Sequence, residues 1–226
     1  LFSAGPAIAS NGTLTYTPAA DANGTATITV ALQDDGGTAN GGVDTSASAS
    51  FDITVTAVND VPSFTKGADE TVLEDAGAQS VAGWATGVSA GATSESGQML
   101  TFNITGNTNS ALFSAAPAIS SAGTLTYTPA TDANGSATIT VTLQDDGGTA
   151  NGGVDTSASQ SFTISVTAVN DAPSFAKGAN QSANEDSGAV TVNGWATSLS
   201  SGPSDESSQT RTFNITGNTN TGLFSS

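Results

Sequence analysis

The stretch GSATITVTL, residues 135–143, decides the fold of this chain. Isoleucine, valine and leucine alternate with threonine along it, which is the two-residue period of a β-strand with one buried and one solvated face. Threonine suits the solvated face because its branched β-carbon fits a pleated surface. The same alternation recurs in SFTISVTAV, residues 161–169, and in LTFNITG, residues 100–106, and no comparable stretch has a helical period. The sequence therefore predicts an all-β protein.

The chain repeats itself at a spacing of 111 residues, since VTAVNDVPSF at 55–64 returns as VTAVNDAPSF at 166–175. Landmarks elsewhere return at the same spacing without an insertion: Leu1 as Leu112, Trp84 as Trp195 and Glu95 as Glu206. This period exceeds the roughly 20–50 residues of solenoid repeats, so each copy is large enough to bury a core of its own. The sequence predicts a series of domains that each fold around a core of their own.

The repeat divides the chain into three predicted parts. Residues 1–60 form the C-terminal part of one repeat, residues 61–171 form a complete repeat, and residues 172–226 form the N-terminal part of the next. Because the chain starts and stops inside a copy and shows neither an initiator Met nor a signal peptide, we expect it to be a segment of a longer repetitive protein.

Composition narrows the range of functions. The net charge is −17, and the only cations are Lys66, Lys177 and Arg211, with no His. Such a chain cannot neutralise a run of phosphates or dock on an anionic membrane, and it has no apolar run of the roughly 20 residues that cross a bilayer. We expect neither nucleic-acid binding nor membrane insertion. The Cys-free, Thr- and Ser-rich composition favours an extracellular bacterial protein, secreted or at the cell surface.

Seven strands are predicted in the complete repeat, separated by Gly-, Asn- and Asp-rich turn signals. They are 61–66, 78–86, 98–106, 111–119, 123–129, 136–144 and 158–168. Seven is the strand number of an immunoglobulin-like β-sandwich. In such a sandwich, Trp84 and Trp195 are interpreted as large core residues rather than as platforms for a ligand.

The VND-x-P stretch lies where one predicted domain joins the next. An odd number of alternating strands brings the chain in at one end of a domain and out at the other, so the copies join end to end. Pro62 and Pro173 fix φ, lack an N–H and push the preceding residue towards extended geometry. The sequence therefore predicts a short, stiff connector.

Strand parity also predicts that polar and acidic side chains gather at each connector. At the trailing end of a repeat it places Glu74 and Asp75 with their copies Glu185 and Asp186, Asp132 with its copy Asp21, and Asn170 and Asp171 with their copies Asn59 and Asp60. At the leading end of the next repeat it places Glu206 with its copy Glu95, and Asp34, Asp35 and Asp44 with their copies Asp145, Asp146 and Asp155. Left alone, these like charges would loosen the joint, whereas a hard divalent ion bound by roughly six to eight oxygens would stiffen it.

These features together resemble a known family. The VNDAP connector at 169–173, the acidic turns LEDAG at 73–77 and NEDSG at 184–188, and the block GTLTYTPATDANGSATITVTLQDDGG at 123–148 are similar to the cadherin-like, immunoglobulin-like tandem repeats of large secreted bacterial adhesins and surface proteins, close to the repeats called VCBS. The resemblance covers the whole chain. Cadherins bind calcium between domains, and the likeness implies Ca²⁺ ligands Glu74, Asp132, Asn170 and Asp171 at one junction and Asp21, Asn59 and Asp60 at the other.

The predicted function is structural: a stiff, calcium-rigidified spacer in a long extracellular adhesin or surface fibre, with neighbouring identical repeats as partners. An enzyme is not expected, because no His or Cys is present and the carboxylates are predicted at domain ends rather than in a cleft. Two alternatives stay open. The repeat itself binds a ligand such as carbohydrate, or the chain self-associates into fibres when residues 172–226 accept strands from residues 1–60 of another copy. A third interpretation concerns the acids alone, because Asp and Asn in DANG and VND also suit turns that bond their own backbone.

Overall fold

The computed structural model describes residues 1–223. Within that range it contains fifteen β-strands and six short 3₁₀ segments, and it has no α-helix, which confirms the predicted all-β class. The 3₁₀ segments are Ala39–Gly41, Thr93–Glu95, Ser110–Leu112, Ala150–Gly152, Ser204–Glu206 and Thr221–Leu223. In the same range the structure has no helix of the length and apolarity needed to cross a membrane.

The strands divide among an N-terminal segment (1–60), a central segment (61–171) and a C-terminal segment (172–223). The N-terminal segment contains β1 (Phe2–Ile8), β2 (Leu14–Pro18), β3 (Gly24–Val30) and β4 (Ala49–Val55). The central segment contains β5 (Ser63–Thr65), β6 (Glu70–Leu73), β7 (Gln79–Val81), β8 (Thr86–Ser89), β9 (Thr101–Asn107), β10 (Phe113–Ile119), β11 (Leu125–Pro129), β12 (Gly135–Gln144) and β13 (Gln160–Thr167). The C-terminal segment contains β14 (Ser174–Ala176) and β15 (Thr197–Ser200).

The central segment is a β-sandwich. One sheet has the order β10-β11-β7, the facing sheet has the order β6-β13-β12-β9, and β5 pairs with β8 beside them. All of these pairings are antiparallel except that of β6 with β13, which is parallel. The topology is that of the predicted immunoglobulin-like fold.

One buried cluster fills the space between the sheets, and the strand periodicity explains its composition. Ile139, Val141 and Leu143 of β12 are fully buried, while the threonines between them face outward and bond across the strands, as Thr140 Oγ1 does to Ser161 Oγ at 3.1 Å. Residues from both sheets complete the core, so the sandwich is held mainly by apolar burial.

The structure differs from the predicted strands at two places. The predicted strand 61–66 is β5, and β6 follows it as a separate strand that was not predicted. The second path, predicted as 78–86, is divided into β7 and β8 by a turn at Gly83, where φ is 66°. Trp84 lies in this break and is buried as predicted, with Nε1 donating to the Ala68 carbonyl at 2.9 Å. A Cβ on Gly67 would lie 2.5 Å from the indole Cδ1, so glycine is needed there for the ring to reach the backbone.

The terminal segments retain only their local pairings. In the N-terminal segment β1 pairs with β2 and β3 with β4, in the same register as their counterparts one repeat later. In the C-terminal segment β14 pairs with β15, as β5 pairs with β8. The counterparts of β6, β7 and β9, which are residues 181–184, 190–192 and 212–218, form no strand.

Candidate cation sites at the connectors

Three carboxylates converge at the second connector, the stretch through Asn170 and Asp171 to Pro173. One oxygen each from Asp75, Asp132 and Asp171 lies within 4.8 Å of the other two. These residues come from the turn after β6, from the loop between β11 and β12, and from the connector itself. The structure therefore brings together three acids that strand parity placed at this end of the repeat.

Left-handed turns present two of these acids. Asp75 has φ 61° and Asp132 has φ 55°, a region that Asp tolerates better than most non-glycine residues. Their copies Asp186 and Asp21 have φ 65° and 56°. Because the conformation recurs even where the surrounding sandwich is incomplete, the local sequence is sufficient to specify it.

Two buried glutamates hold the connector backbone from opposite sides. Glu74 is 2% exposed, and its Oε1 accepts a hydrogen bond from the Val169 N–H at 2.6 Å. Glu206 is 4% exposed, and its Oε1 accepts one from the Asp171 N–H at 2.6 Å. Since Glu74 precedes the connector and Glu206 follows it, the connector is bonded to both of the repeats that it joins.

The second oxygen of Glu206 has no protein partner. Oε2 is buried and accepts no hydrogen bond. It lies against Gly202, where an added Cβ would collide with it and would lie 3.3 Å from the Asp171 Cβ. The φ of Gly202 is 150°, so glycine is required on both counts. A buried carboxylate oxygen without a partner is unfavourable, and a cation beside Asp171 is a partner that fits the charge of this site.

The carboxylates of this site repel one another, and no cationic side chain among the described residues of the site offsets their charge. Burial first, and then the neighbouring carboxylate of Asp75, raises the pKa of Asp132 above its ordinary value of 3.8. Burial first, and then Asp132 and Glu206, likewise raises the pKa of Asp171 above 3.8. Like charges that destabilise one another in this way are stabilised by a bound cation.

Asp205 is a member of this region that the sequence analysis missed. Its Oδ2 accepts a hydrogen bond from Asn134 Nδ2 at 2.9 Å, which links the leading loop of the C-terminal segment to the trailing loop of the central one. The counterpart of Asp205 one repeat earlier is Ser94. A comparison of the copies for acids gained would have found this position, whereas matching identical acids does not.

The first connector repeats the part of the arrangement that Asp21, Asp60 and Glu95 supply. Glu95 Oε1 accepts a hydrogen bond from the Asp60 N–H at 2.9 Å, as Glu206 does from Asp171. Burial first, then Glu95 and then Asp21, raises the pKa of Asp60. A cavity of about 200 Å³ lies here, and its lining includes Asp21, Asn23, Asp60 and Ser94. The sequence does not include counterparts of Glu74 and Asp75 for this connector.

Asn59, a predicted ligand, is instead fully engaged in hydrogen bonds. Its Nδ2 donates to Asp145 Oδ1 at 2.9 Å and to the Val154 carbonyl at 2.8 Å, and its Oδ1 accepts from Gln98 Nε2 at 2.7 Å. The amide therefore fastens the connector beneath the loop between β12 and β13. Its copy Asn170 has one matching bond, from Gln209 Nε2 to Oδ1 at 3.0 Å.

The remaining predicted ligands lie outside the group of three carboxylates. Asp145 is 5% exposed, bonds Asn59 and the Gly147 N–H through Oδ1, and has an unpartnered Oδ2. Asp146 accepts from the Met99 N–H, and Asp155 accepts from Thr156 and Gln144 within its own loop. Glu185 and Asp186 are exposed in the turn equivalent to that of Glu74 and Asp75.

Two family profiles match parts of the chain. One, described as a bacterial Ig domain, matches residues 3–54. The other, described as a lipoprotein associated domain, matches residues 92–171. One repeat later, residues 3–54 correspond to 114–165, inside the second match, so both profiles describe the same stretch of the repeat. Residues 3–54 are thus similar to a bacterial Ig domain, in keeping with the immunoglobulin-like sandwich of the central segment. Neither description names an enzyme.

One solved structure shows a weak similarity to these immunoglobulin-like repeats. A structure of mouse clustered PcdhgC3 EC1-3 matches at 17% sequence identity and a TM-score of 0.34, covering 73% of this chain. The chain spans 51% of the length of that one. The fold assignment above therefore rests on the strands of this chain and not on that likeness. Comparison with curated proteins found no match.

Proposed function

We propose that these immunoglobulin-like repeats are stiff, calcium-rigidified spacers in a long extracellular bacterial adhesin or surface fibre. The observation that carries the proposal is the convergence of Asp75, Asp132 and Asp171 within 4.8 Å at a connector between repeats. The unpartnered, buried Oε2 of Glu206 beside Asp171 is an independent sign that this site takes a cation.

The donor set suits calcium better than other common metals. Three carboxylate oxygens converge here, and hard cations prefer oxygen ligands. The chain contains no His or Cys, the residues that zinc and the later transition metals favour. Extracellular calcium modules bind at about 10⁻⁴–10⁻³ M, an affinity that fits an external medium.

Cation binding at this place would stiffen the chain because its ligands come from both sides of a joint. Asp75 and Asp132 belong to the central segment, Asp171 to the connector and Glu206 to the following segment. An ion held by all four ties their separate hydrogen bonds into one unit and removes the repulsion that opposes it. A series of joints fixed in this way makes a rod that keeps a distant binding tip away from the cell.

The test is a calcium titration of the whole chain by isothermal calorimetry, followed by small-angle scattering with calcium and with excess chelator. We expect binding near millimolar concentration and a chain that shortens or bends on chelation. Asp132→Asn should weaken binding at the second connector by at least about tenfold, since it removes one charged ligand. Asp35→Asn makes the same charge change at an exposed residue outside the group of three carboxylates and is the matched control.

Two results would remove the calcium part of the proposal. One is an unchanged length and an unchanged melting temperature when calcium is added or chelated. The other is equal binding by the Asp132→Asn and Asp35→Asn variants. Either result would leave the repeat architecture intact and reduce these acids to solvated turns.

The carbohydrate-binding alternative lacks an aromatic platform in the central segment. Trp84 and Tyr127 are buried in the core there, whereas sugar sites present exposed aromatic rings. The corresponding rings in the terminal segments, Trp195 and Tyr16, are exposed, but the central segment shows that these positions belong to a core.

A further inference from the structure

We infer that the parallel strands β6 and β13 form a mechanical clamp through which the central segment resists tension along the chain. A mechanical clamp is here a pair of strands whose hydrogen bonds must yield together before the rest of the domain unfolds under force. The inference rests on the proposed function, because an adhesin that holds a cell is under tension between its ends. It requires no cation.

The clamp follows from where the two strands lie in the chain. Tension enters the central segment at Val61 and leaves it at Ala172. β6 lies near the entry, and β13 is the last strand before the exit. Since the two strands are parallel, the entering and the leaving chain pull on opposite ends of their ladder. The strands are therefore drawn past one another along their own direction.

The ladder between these strands is continuous. Its register pairs take consecutive positions on both strands and are Ile164–Glu70, Ser165–Thr71, Val166–Val72 and Thr167–Leu73. The Glu74 N–H adds a further bond to the Thr167 carbonyl at 3.0 Å. Hydrogen bonds in a parallel pair are evenly spaced, so tension along the strands loads them together rather than one at a time.

Two carboxylates lengthen the ladder beyond the four residues of β6. Ahead of its first pair, Asp69 Oδ1 accepts a hydrogen bond from the Thr163 N–H at 3.0 Å. Beyond its last pair, Glu74 Oε1 accepts one from the Val169 N–H at 2.6 Å. Hydrogen bonds to carboxylates are roughly twice as strong as those between neutral groups, and Glu74 is 2% exposed. A short strand thereby gains a strong bond at each end.

Apolar packing opposes the same sliding motion. Ile164 and Val166 of β13 are buried members of the core cluster, and Val72 of β6 packs against that cluster. Moving either strand along its axis draws these side chains out of their places in a close-packed core. The ladder and this part of the core therefore yield in the same step.

The strand ahead of β6 contributes less resistance. β5 meets β8 at two register pairs, Ser63–Ser89 and Thr65–Thr86, and the register shifts between them. When tension detaches β5, the load passes to β6, which is the next strand along the chain. The central segment therefore keeps its clamp after its first strand is lost.

Single-molecule force spectroscopy on the full chain in excess chelator tests the inference. The chain has no Cys, so handles can be attached through Val61→Cys and Ala172→Cys, two exposed positions at the ends of the central segment. We expect one main unfolding step that lengthens the tether by about 350 Å, the extended length of the repeat less its folded span.

A second pair of handle positions changes the direction of the force. Ala76 follows β6 and Ala172 follows β13, so both lie at the same end of the ladder. Handles on Ala76→Cys and Ala172→Cys therefore peel the strands apart bond by bond. At equal loading rate, pulling between 61 and 172 should need at least about twice the force, because bonds loaded together resist more than bonds broken in turn. Equal forces in the two directions would overturn the inference.

Two single substitutions test the ladder itself. Asp69→Ala removes a carboxylate from it at an exposed position. Thr108→Val removes a hydroxyl outside the ladder, which accepts a hydrogen bond from the Thr138 N–H at 2.8 Å. With handles at 61 and 172, Asp69→Ala should shorten the lifetime at constant force by about tenfold, whereas Thr108→Val should leave it within about twofold. Urea titrations should give the two variants similar midpoints, since each loses one exposed side-chain bond.

Equal lifetimes of these two variants under force would also overturn the clamp. Such a result would leave the calcium titration and the scattering experiment of the proposed function untouched, because neither applies force. Conversely, a chain whose length does not respond to calcium would still need the higher force between 61 and 172 if β6 and β13 form the clamp. The two proposals therefore fail separately.

Discussion

Leu125 and Leu14 occupy the same position in two copies of one repeat, yet the first is 0% exposed and the second is 38% exposed. Their local sequences are almost identical, and both lie in a hairpin of the same register. Residues 61–112 pack as the first half of the sandwich over Leu125, whereas residues 1–60 correspond to the second half of a repeat alone. The hairpins therefore follow from local sequence, whereas burial of these leucines requires both halves of the repeat.

Truncating each of these two leucines to alanine should give the clearest difference in stability. Leu125→Ala should lower the free energy of unfolding of the central segment by about 2–5 kcal/mol, since it opens a cavity in a closed core. Leu14→Ala should change it by about 1 kcal/mol or less, because the side chain is already partly solvated. Urea unfolding of dilute protein followed by Trp84 fluorescence, in a Trp195→Phe background, measures both values. Equal effects of the two substitutions would contradict the comparison.

The same comparison explains what the sequence was able to predict. The alternation along β12, the 111-residue spacing and the burial of Trp84 are consequences of local pattern, and all three were predicted. The strand β6 was missed, because its four residues pair with β13 more than 90 positions away and carry no local signal of that pairing. Gly202 was missed for a similar reason, since its role is the close approach to Glu206, which only the folded chain reveals.

For the connector residues, too, the sequence predicted position but not contacts. The odd number of strands placed Asp75, Asp132 and Asp171 at one end of the repeat, and the structure brings them together. The strand count could not distinguish them from Asn59, which has the same connector position as Asn170 but is fixed by hydrogen bonds that it donates to the loop after β12 and accepts from Gln98. The ligand role of all these residues stays a prediction.

A comparison of the two connector asparagines gives the second test. Asn59→Ala should lower the free energy of unfolding of the central segment by about 1–3 kcal/mol, since Asp145 is buried and would lose a donor. Asn170→Ala should cost less, because that side chain is exposed and makes fewer bonds. Trp84 fluorescence in urea again measures the change. A larger effect at Asn170 would mean that its loop carries contacts that the Asn59 network does not predict.

The third test, for which we expect the smallest change, measures how stability depends on pH with and without calcium at the second connector. Because the pKa values of Asp132 and Asp171 are raised in the folded chain, the native state binds protons more tightly than the unfolded state between 3.8 and the native values. Stability therefore falls as pH rises through that window. Calcium-stripped protein should accordingly gain melting temperature as acidification brings the pH down through that window towards 3.8, and Asp132→Asn should flatten the gain. With saturating calcium the slope should reverse, because protons then compete with the ion for the same oxygens. If the melting temperature depends on pH in the same way with and without calcium, then the carboxylates with raised pKa values do not form a cation site.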